Sequence, residues 1–265
     1  YVIRGGVEGR ERLLLLSEVM GPSTRALLKT VSITAGSICL DVGCGGGDVT
    51  FELARITGPK GRVVGVDLDE TQLAIARREA DQYGLSNILF EVQDVTKWKP
   101  GELFDYVYAR FLLTHLSDPG AIISTLRRHM RPGGMVILED IDFRGHFAQP
   151  ECPALLRYVE WYTRSVQRRG GDPNIGPRLP GMLLQAGFKD VRINLVHPVS
   201  LKGGIKLLTC VTLENIADAV LQDKLATKDE LEQTIEELYV FARNSHTVLA
   251  GPRVFQAWGR TDLCL

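Results

Sequence analysis

Paired cysteines are missing from this chain: the five present, at 39, 44, 152, 210 and 264, are scattered, odd in number and form no C-x-x-C. That argues against a disulfide framework, structural zinc or iron–sulfur ligation, and it fits a reducing cytoplasm. Net charge is equally lacking, since 31 Lys and Arg against 32 Asp and Glu leave a formal −1. A nucleic-acid binder carries a basic excess, so no nucleic-acid partner is expected. Two local basic clusters, Arg127, Arg128 and Arg131, then Arg168 and Arg169, fall near expected helix ends, where cations complement the helix dipole. No apolar run approaches membrane-spanning length, and the longest leucine block, residues 13–16, is flanked by charges, so no membrane partner is expected. Internal repeats and low-complexity linkers are absent as well. The chain starts at Tyr1 rather than Met, which leaves upstream residues, a removed targeting segment among them, open.

What is present suits a globular fold. With 265 residues, 45% hydrophobic and 24% charged, the chain can bury a sizeable core in one large domain or two small ones. Its organising stretch lies at 38–54. Ile38, Leu40 and Val42 read as a strand, glycines follow at 43, 45, 46 and 47, and helical spacing resumes through Val49, Phe51, Leu53 and Ala54, with Asp48 placed as an N-cap. Strand, glycine turn and helix start aim backbone N–H groups at a bound anion, and glycine admits its close approach. Such a turn alone is as compatible with a structural bend as with a ligand.

Upstream, Leu13, Leu16 and Met20 mark a helix that Gly21 and Pro22 end before a second short helix at Leu27 and Leu28. Downstream, strands are expected at 62–67, 87–94, 104–110 and 135–138. Between them come a helix bearing Leu73, Ala76, Ala80 and Tyr83, closed by Gly84, and one started by Pro119 with Ile122, Leu126 and Met130 on its buried stripe. Five strand–helix cycles between 37 and 142 predict a parallel sheet covered on both faces. Ligands of such sheets gather at the carboxyl ends of the strands, where the glycine turn, Asp67, Asp94 and Arg110 converge. The second half is more helical. One helix carries Leu155, Val159, Tyr162 and Val166, another ends at Gly187, and a strand spans 190–196. Helices with Leu213, Ile216 and Val220, then with Leu231, Ile235, Leu238 and Ala242, precede a last strand at 253–259. The later helix starts on a Thr227–Glu230 capping box.

The D-V-G-C-G-G-G run at 41–47, the acids Asp67 and Asp94 and the P-G-G at 132–134 resemble, in order and spacing, the class I S-adenosylmethionine-dependent methyltransferases over about residues 35–142. The opening from Tyr1 to Glu11 and Arg12 and the helical second half resemble the small-molecule branch of that superfamily. The resemblance implies a Rossmann-like α/β fold, with a seven-stranded, mostly parallel sheet, helices on both faces and an antiparallel last strand at 253–259. Residues 1–34 are then an N-terminal helical cover and 35–265 a methyltransferase domain. Its helical lid insertion falls at about 144–175 and 200–250, because some fifty residues between two strands exceed a hairpin connection.

S-adenosylmethionine is the implied cofactor and a small molecule the implied acceptor. Backbone N–H groups of Gly43, Cys44, Gly45 and Gly47 suit the carboxylate, Asp41 the ammonium, and Asp67, with Leu68 beside it, the ribose hydroxyls. Asp94 suits the adenine amine, with the Val95 N–H turned to a ring nitrogen. A dinucleotide is a poorer match: the third glycine falls at 47, position 48 is an acid that would repel a pyrophosphate, and no Tyr-x-x-x-Lys pair occurs.

Acceptors are expected beside the segment from Arg110 to His115. The N-P-P-Y of amino-methylating enzymes and the paired glutamates of protein arginine methyltransferases are absent there. Arg110 stands where catechol-type enzymes place a metal-holding acid, so no metal is expected. Methyl transfer is an in-line displacement, so the main task is alignment and exclusion of water. His115 is the general-base candidate because imidazole titrates near neutrality; a backbone-bonded structural histidine is the alternative. Arg110 either orients an anionic acceptor or packs beside the cofactor. Glu139, Asp140 and Asp142 either line the pocket or sit at a solvated strand edge. Cys44 reads as a small residue that fits, not as a nucleophile.

Overall fold

A computed structural model describes residues 2–263. Tyr1 and Cys264, on which two of the readings above touch, lie outside the described residues, as do Leu265 and the Glu8 side chain. Seven strands form one sheet: β1 (Ile38–Val42), β2 (Arg62–Asp67), β3 (Ile88–Val92), β4 (Phe104–Arg110), β5 (Met130–Asp142), β7 (Lys189–Val196) and β10 (Arg253–Arg260), in the order β3-β2-β1-β4-β5-β10-β7. β10 is the one antiparallel strand, inserted between β5 and β7. The order reverses between β1 and β4, which places the carboxyl ends of those two strands at the switch point where ligands of open sheets collect. Near-continuous apolar runs suit strands buried on both faces, and β1, β2 and β4 are such runs.

Two layers cover the sheet. On one face lie α2 (Asp48–Thr57), α3 (Glu70–Gln82) and the C-terminal half of α1 (Gly6–Val31), whose Leu27, Leu28 and Val31 pack with Val49, Leu53 and Ile137. On the other face α4 (Pro119–Arg128) and α6 (Leu179–Gln185) bury Ile122, Leu126, Leu179 and Leu183 against β4 and β5. A third core joins the N-terminal half of α1 to α5 (Pro153–Arg168), α7 (Gly204–Asn215), α8 (Ala217–Gln222) and α9 (Lys228–Arg243). The Thr227–Glu230 capping box starts α9 as expected. A small sheet of β6 (Phe147–Gln149), β9 (Val248–Ala250) and β8 (Val199–Ser200) ties this cap together; its strands are too short to show an alternation in sequence. No helix among the described residues is long and apolar enough to cross a membrane.

Several local expectations fail for physical reasons. Gly21 and Pro22 do not break α1, which runs through Pro22 as one helix of 26 residues. An interior proline costs about 3 kcal/mol. Burial of Met20, Leu27 and Leu28, with a Thr24 hydroxyl donating to buried Glu139 at 2.8 Å, outweighs it. Gly47, in the left-handed region at φ 81°, is the N-cap of α2, and Asp48 is the first helical residue. Met130 belongs to β5 rather than to the α4 stripe, Tyr83 is exposed, and β5 takes in the P-G-G as a strand irregularity. The third of the five expected cycles lacks its helix: residues 93–103, between β3 and β4, are turns and coil.

Candidate functional site

The carboxyl ends of β1, β2 and β4 look into a cavity of about 540 Å³, within the range of small-molecule sites. Its wall includes Asp41, Gly43, Cys44, Gly45, Asp67, Leu68, Asp94, Val95, Arg110 and His115, so ten of the eleven residues given a cofactor-binding or catalytic role from the sequence converge. Gly47 is the exception. It stands behind the turn, where a Cβ would meet Phe51, Phe90 and Ala76 at 3.1–3.2 Å, so its work is close packing of helix on strand.

The turn spends its amides differently from the expectation. The Gly43 and Cys44 N–H groups both donate to the Val66 carbonyl, at 2.8 and 3.0 Å, and Gly47 N–H donates to Cys44 O at 2.9 Å. Gly45 N–H donates to Asp67 Oδ2 at 2.8 Å. Four of the five amides therefore hold the turn's shape, because its return onto β2 is closed by backbone bonds. Asp67 is fixed from both sides, its Oδ1 accepting from Asp69 N–H at 2.9 Å, yet each oxygen keeps a lone-pair direction for a further donor. Asp94 accepts from the Thr96 N–H at 3.0 Å and hydroxyl at 2.6 Å, which lowers its carboxyl below the ordinary value. It thus caps its own turn while facing the cavity.

Asp41 is buried and accepts from the Thr50 hydroxyl at 2.6 Å. Burial pushes its carboxyl up to about 7, the Thr50 bond opposing, with Asp48 and Asp67 adding repulsion and Arg110 relieving part of it. Gln72, on α3, went unnoticed in the sequence. Its amide nitrogen donates to Gly6 O, and its buried Oε1 faces the same cavity with no hydrogen-bond partner among the described residues. Only its place on the first turns of the helix after Asp67 could have flagged it.

Arg110 is locked in the wall, its guanidinium 2.6 Å from Asp48 and 3.2 Å from the Thr24 hydroxyl. Burial pulls its proton affinity down, but Asp48, Tyr108 and Glu139 more than restore it. Glu139, Asp140 and Asp142 neither line the cavity nor meet solvent. Glu139 accepts from Thr24, Tyr108 and Gln256; Asp140 accepts from the Thr114 and Ile141 amides; Asp142 pairs with Arg144 and Arg253. Cys44 is buried and its thiol is pushed well above its ordinary value by burial, with Asp41 and Asp67 adding, which suits an inert packing residue.

Beyond the strand ends the cavity continues under the cap. α1 contributes Arg12, Leu16 and Met20, α5 contributes Tyr158 and Tyr162, and α7 contributes Leu208, Thr209 and Thr212. Phe143 stacks on Tyr162 with ring centroids 4.0 Å apart. His115 lies on this wall, and burial followed by the Arg12 charge pushes its imidazole down to about 3, so it is neutral at physiological pH. The site therefore has an acidic half at the strand ends and an aromatic half under the helices.

Fold and site together define a class I methyltransferase of the seven-stranded kind. The chain belongs to the methyltransferase-domain family, whose model matches residues 33–167, just over half its length. It is 31% identical over 171 residues to a phosphoethanolamine N-methyltransferase of Arabidopsis thaliana, covering 64% of this chain and 32% of that protein. It is 30% identical over 184 residues to a demethylmenaquinone methyltransferase of Geobacillus kaustophilus, covering 63% and 77%. The chain thus spans about a third of the plant relative's length. Among solved structures, a Haemonchus contortus phosphoethanolamine N-methyltransferase bound to phosphomonomethylethanolamine and S-adenosylhomocysteine superposes with a TM-score of 0.54, covering 96% of this chain and 53% of that one. At 16% identity that likeness speaks for the fold alone.

Proposed function

We infer that the chain transfers a methyl group from S-adenosylmethionine to a small molecule held beneath α1, α5 and α7. The observation that carries this is the continuity of one cavity from the acidic strand ends to the aromatic chamber. The acidic half fits the cofactor's cationic and hydroxyl groups. Asp41, buried and reluctant to ionise, is completed by an ammonium; Asp67 keeps acceptor capacity for a diol; Asp94 and the Val95 N–H suit the two edges of an adenine; and the orphan Gln72 Oε1 offers one more acceptor. When bound, the cofactor supplies a methyl carbon made electrophilic by its sulfonium.

The residues of the chain then bind, align and exclude water. Phe111, Phe143, Tyr158 and Tyr162, with the Thr209 and Thr212 hydroxyls on one side, form a mostly apolar enclosure in which an acceptor meets the donor without bulk water. Neutral His115 accepts a hydrogen bond from a protonated nucleophile and orients it. The helical cover and lid implied by the sequence correspond in this reading to α1, α5 and α7, with α8 and α9 as their outer support. Gly6 N–H donates to Asp69 Oδ2 at 2.6 Å, Arg10 pairs with Glu79, and Arg4 pairs with Asp218 at 2.7 Å, so α1 is clasped to α3 and α8 across the cofactor half. Four buried, unpaired cysteines accord with a reducing, cytoplasmic setting.

Titration of the purified chain with S-adenosylhomocysteine, followed by incubation of a small-molecule acceptor panel with donor labelled in its methyl group, tests the reading. Saturable binding and labelled product are expected. Absence of binding would overturn the assignment.

A further inference from the structure

Arg12 has a guanidinium whose charge the described residues leave unmatched. It projects from α1 into the aromatic half of the cavity, and its Nε donates to the Thr212 hydroxyl on α7 at 3.2 Å. No carboxylate of the described residues comes within 4.0 Å of it, whereas Arg4, Arg10 and Arg110, the other arginines around this end of the chain, each have an acid: Asp218, Glu79 and Asp48. The four remaining N–H donors of the fork have no partner among the described residues. Among the described residues, the groups around it do not neutralise it. Thr212 and Tyr158 are hydroxyl-bearing, and His115 is neutral and disfavoured as a cation by the same Arg12 charge. The acids that line the cavity among the described residues, Asp41, Asp48, Asp67, Asp69 and Asp94, belong to the strand-end half, and Asp48 is already paired with Arg110. A partly buried cation with an open planar fork, set among aromatic rings, is the chemistry that receives a carboxylate or an ionised phenol.

We propose that the acceptor is a ring-bearing, otherwise apolar molecule with one anionic oxygen, that its rings pack among Phe143, Tyr158 and Tyr162, and that its oxygen pairs with the Arg12 fork. This deepens the methyltransferase reading and rests on it. The rings supply apolar burial, while the ion pair in a desolvated chamber supplies discrimination against neutral analogues. Two sources share this chemistry, a carboxylate and an acidic hydroxyl. The hydroxyl would also place a nucleophilic oxygen beside His115, whereas the carboxylate would anchor the molecule at a distance from its reacting atom.

The test uses the full chain saturated with S-adenosylhomocysteine and measures binding by calorimetry for two matched pairs: naphthoate against naphthamide, and nitrophenolate against nitroanisole. At least one anion is expected to bind tenfold or more tightly than its neutral partner, and the pair that shows it identifies the oxygen. Arg12→Gln should erase that preference, Arg12→Lys should keep part of it, and neither should alter S-adenosylhomocysteine affinity or Tm by a comparable amount. Equal binding of anion and neutral partner in both pairs overturns the inference. So does Arg12→Gln weakening S-adenosylhomocysteine tenfold with the anion preference intact, because Arg12 would then serve the cofactor's carboxylate. Failure of the unmodified chain to bind S-adenosylhomocysteine at all would strike the methyltransferase reading instead, which separates the two.

Discussion

With Asp41 set against the cofactor's ammonium, as proposed, cofactor affinity becomes a proton-linked quantity. Its carboxyl is held up at about 7, from an ordinary 3.8, mainly because ionisation strands a charge in the buried end of β1. The facing groups are Thr50 and Asp48 on α2, Asp67 on β2 and Arg110 on β4; Asp48 and Asp67 oppose ionisation, while Thr50 and Arg110 favour it. A ligand ammonium placed there selects the ionised form, so binding below pH 7 must expel a proton. At pH 6 roughly one molecule in ten is ionised, so affinity should be about tenfold below its plateau above pH 8, or ~1.4 kcal/mol. Calorimetry with S-adenosylhomocysteine in buffers of differing ionisation enthalpy should register release of nearly one proton at pH 6 and little at pH 8. Asp41→Asn keeps an acceptor for Thr50 and should bind weakly, with no proton release and a flat pH profile. The sign for folding is the opposite of a salt-bridged acid. With the folded-state value raised, the stabilising contribution is complete below pH 4 and is lost as pH rises through about 7. The unliganded wild type should therefore lose Tm between pH 5 and 8 relative to Asp41→Asn. No proton release from the wild type at pH 6, or an equal pH slope in the Asn variant, would refute the placement of Asp41 against a cation.

Three further outcomes follow from the same geometry. Asp67→Ala removes two loop anchors as well as the proposed diol acceptor and should weaken S-adenosylhomocysteine by more than tenfold in calorimetry; unchanged affinity would reject the role. His115→Ala should slow turnover by about tenfold, below the roughly 10²–10⁴ of a tuned general base, because an imidazole near pKa 3 orients a nucleophile better than it takes its proton. Cofactor-product affinity should stay within twofold, and equal turnover would demote His115 to a structural residue. Glu139→Gln keeps one acceptor oxygen but turns an NH₂ toward either the Thr24 and Tyr108 hydroxyls or the Gln256 amide, and should cost ~2–3 kcal/mol, a Tm loss of about 5–10 °C in thermal unfolding, with little direct effect on ligand contacts.

The sequence announced the strand-end half of the cavity and was silent on most of the helical half, and the reason is range. Strand, glycine turn, helix and the acids at strand ends are local features, each set within a dozen residues by period and turn chemistry, so Asp41, Gly45, Asp67 and Asp94 could be read in order. The allocation of the turn's amides could not, because Val66 O, which takes two of them, lies on the neighbouring strand. Pro22 within α1 misled for the same reason: the helix is held by Glu139, 115 residues away, and by burial that no window around the proline contains.

The aromatic chamber is built from α1, α5 and α7, which meet across as many as 200 residues, as the Arg12–Thr212 bond illustrates. Apart from Glu11 and Arg12 at the start of α1, these helices carry no motif, since each needs only one apolar stripe to join the shared core. The two halves of the cavity thus answer to different physics. A fixed cofactor requires fixed backbone at the switch point of the sheet, whereas the acceptor is met by side chains on helices that can change without disturbing a single strand. An arginine on such a helix that the described residues leave unmatched bears, in the proposed reading, on what the chamber admits, and substituting it should change the ligand chosen before it changes the fold.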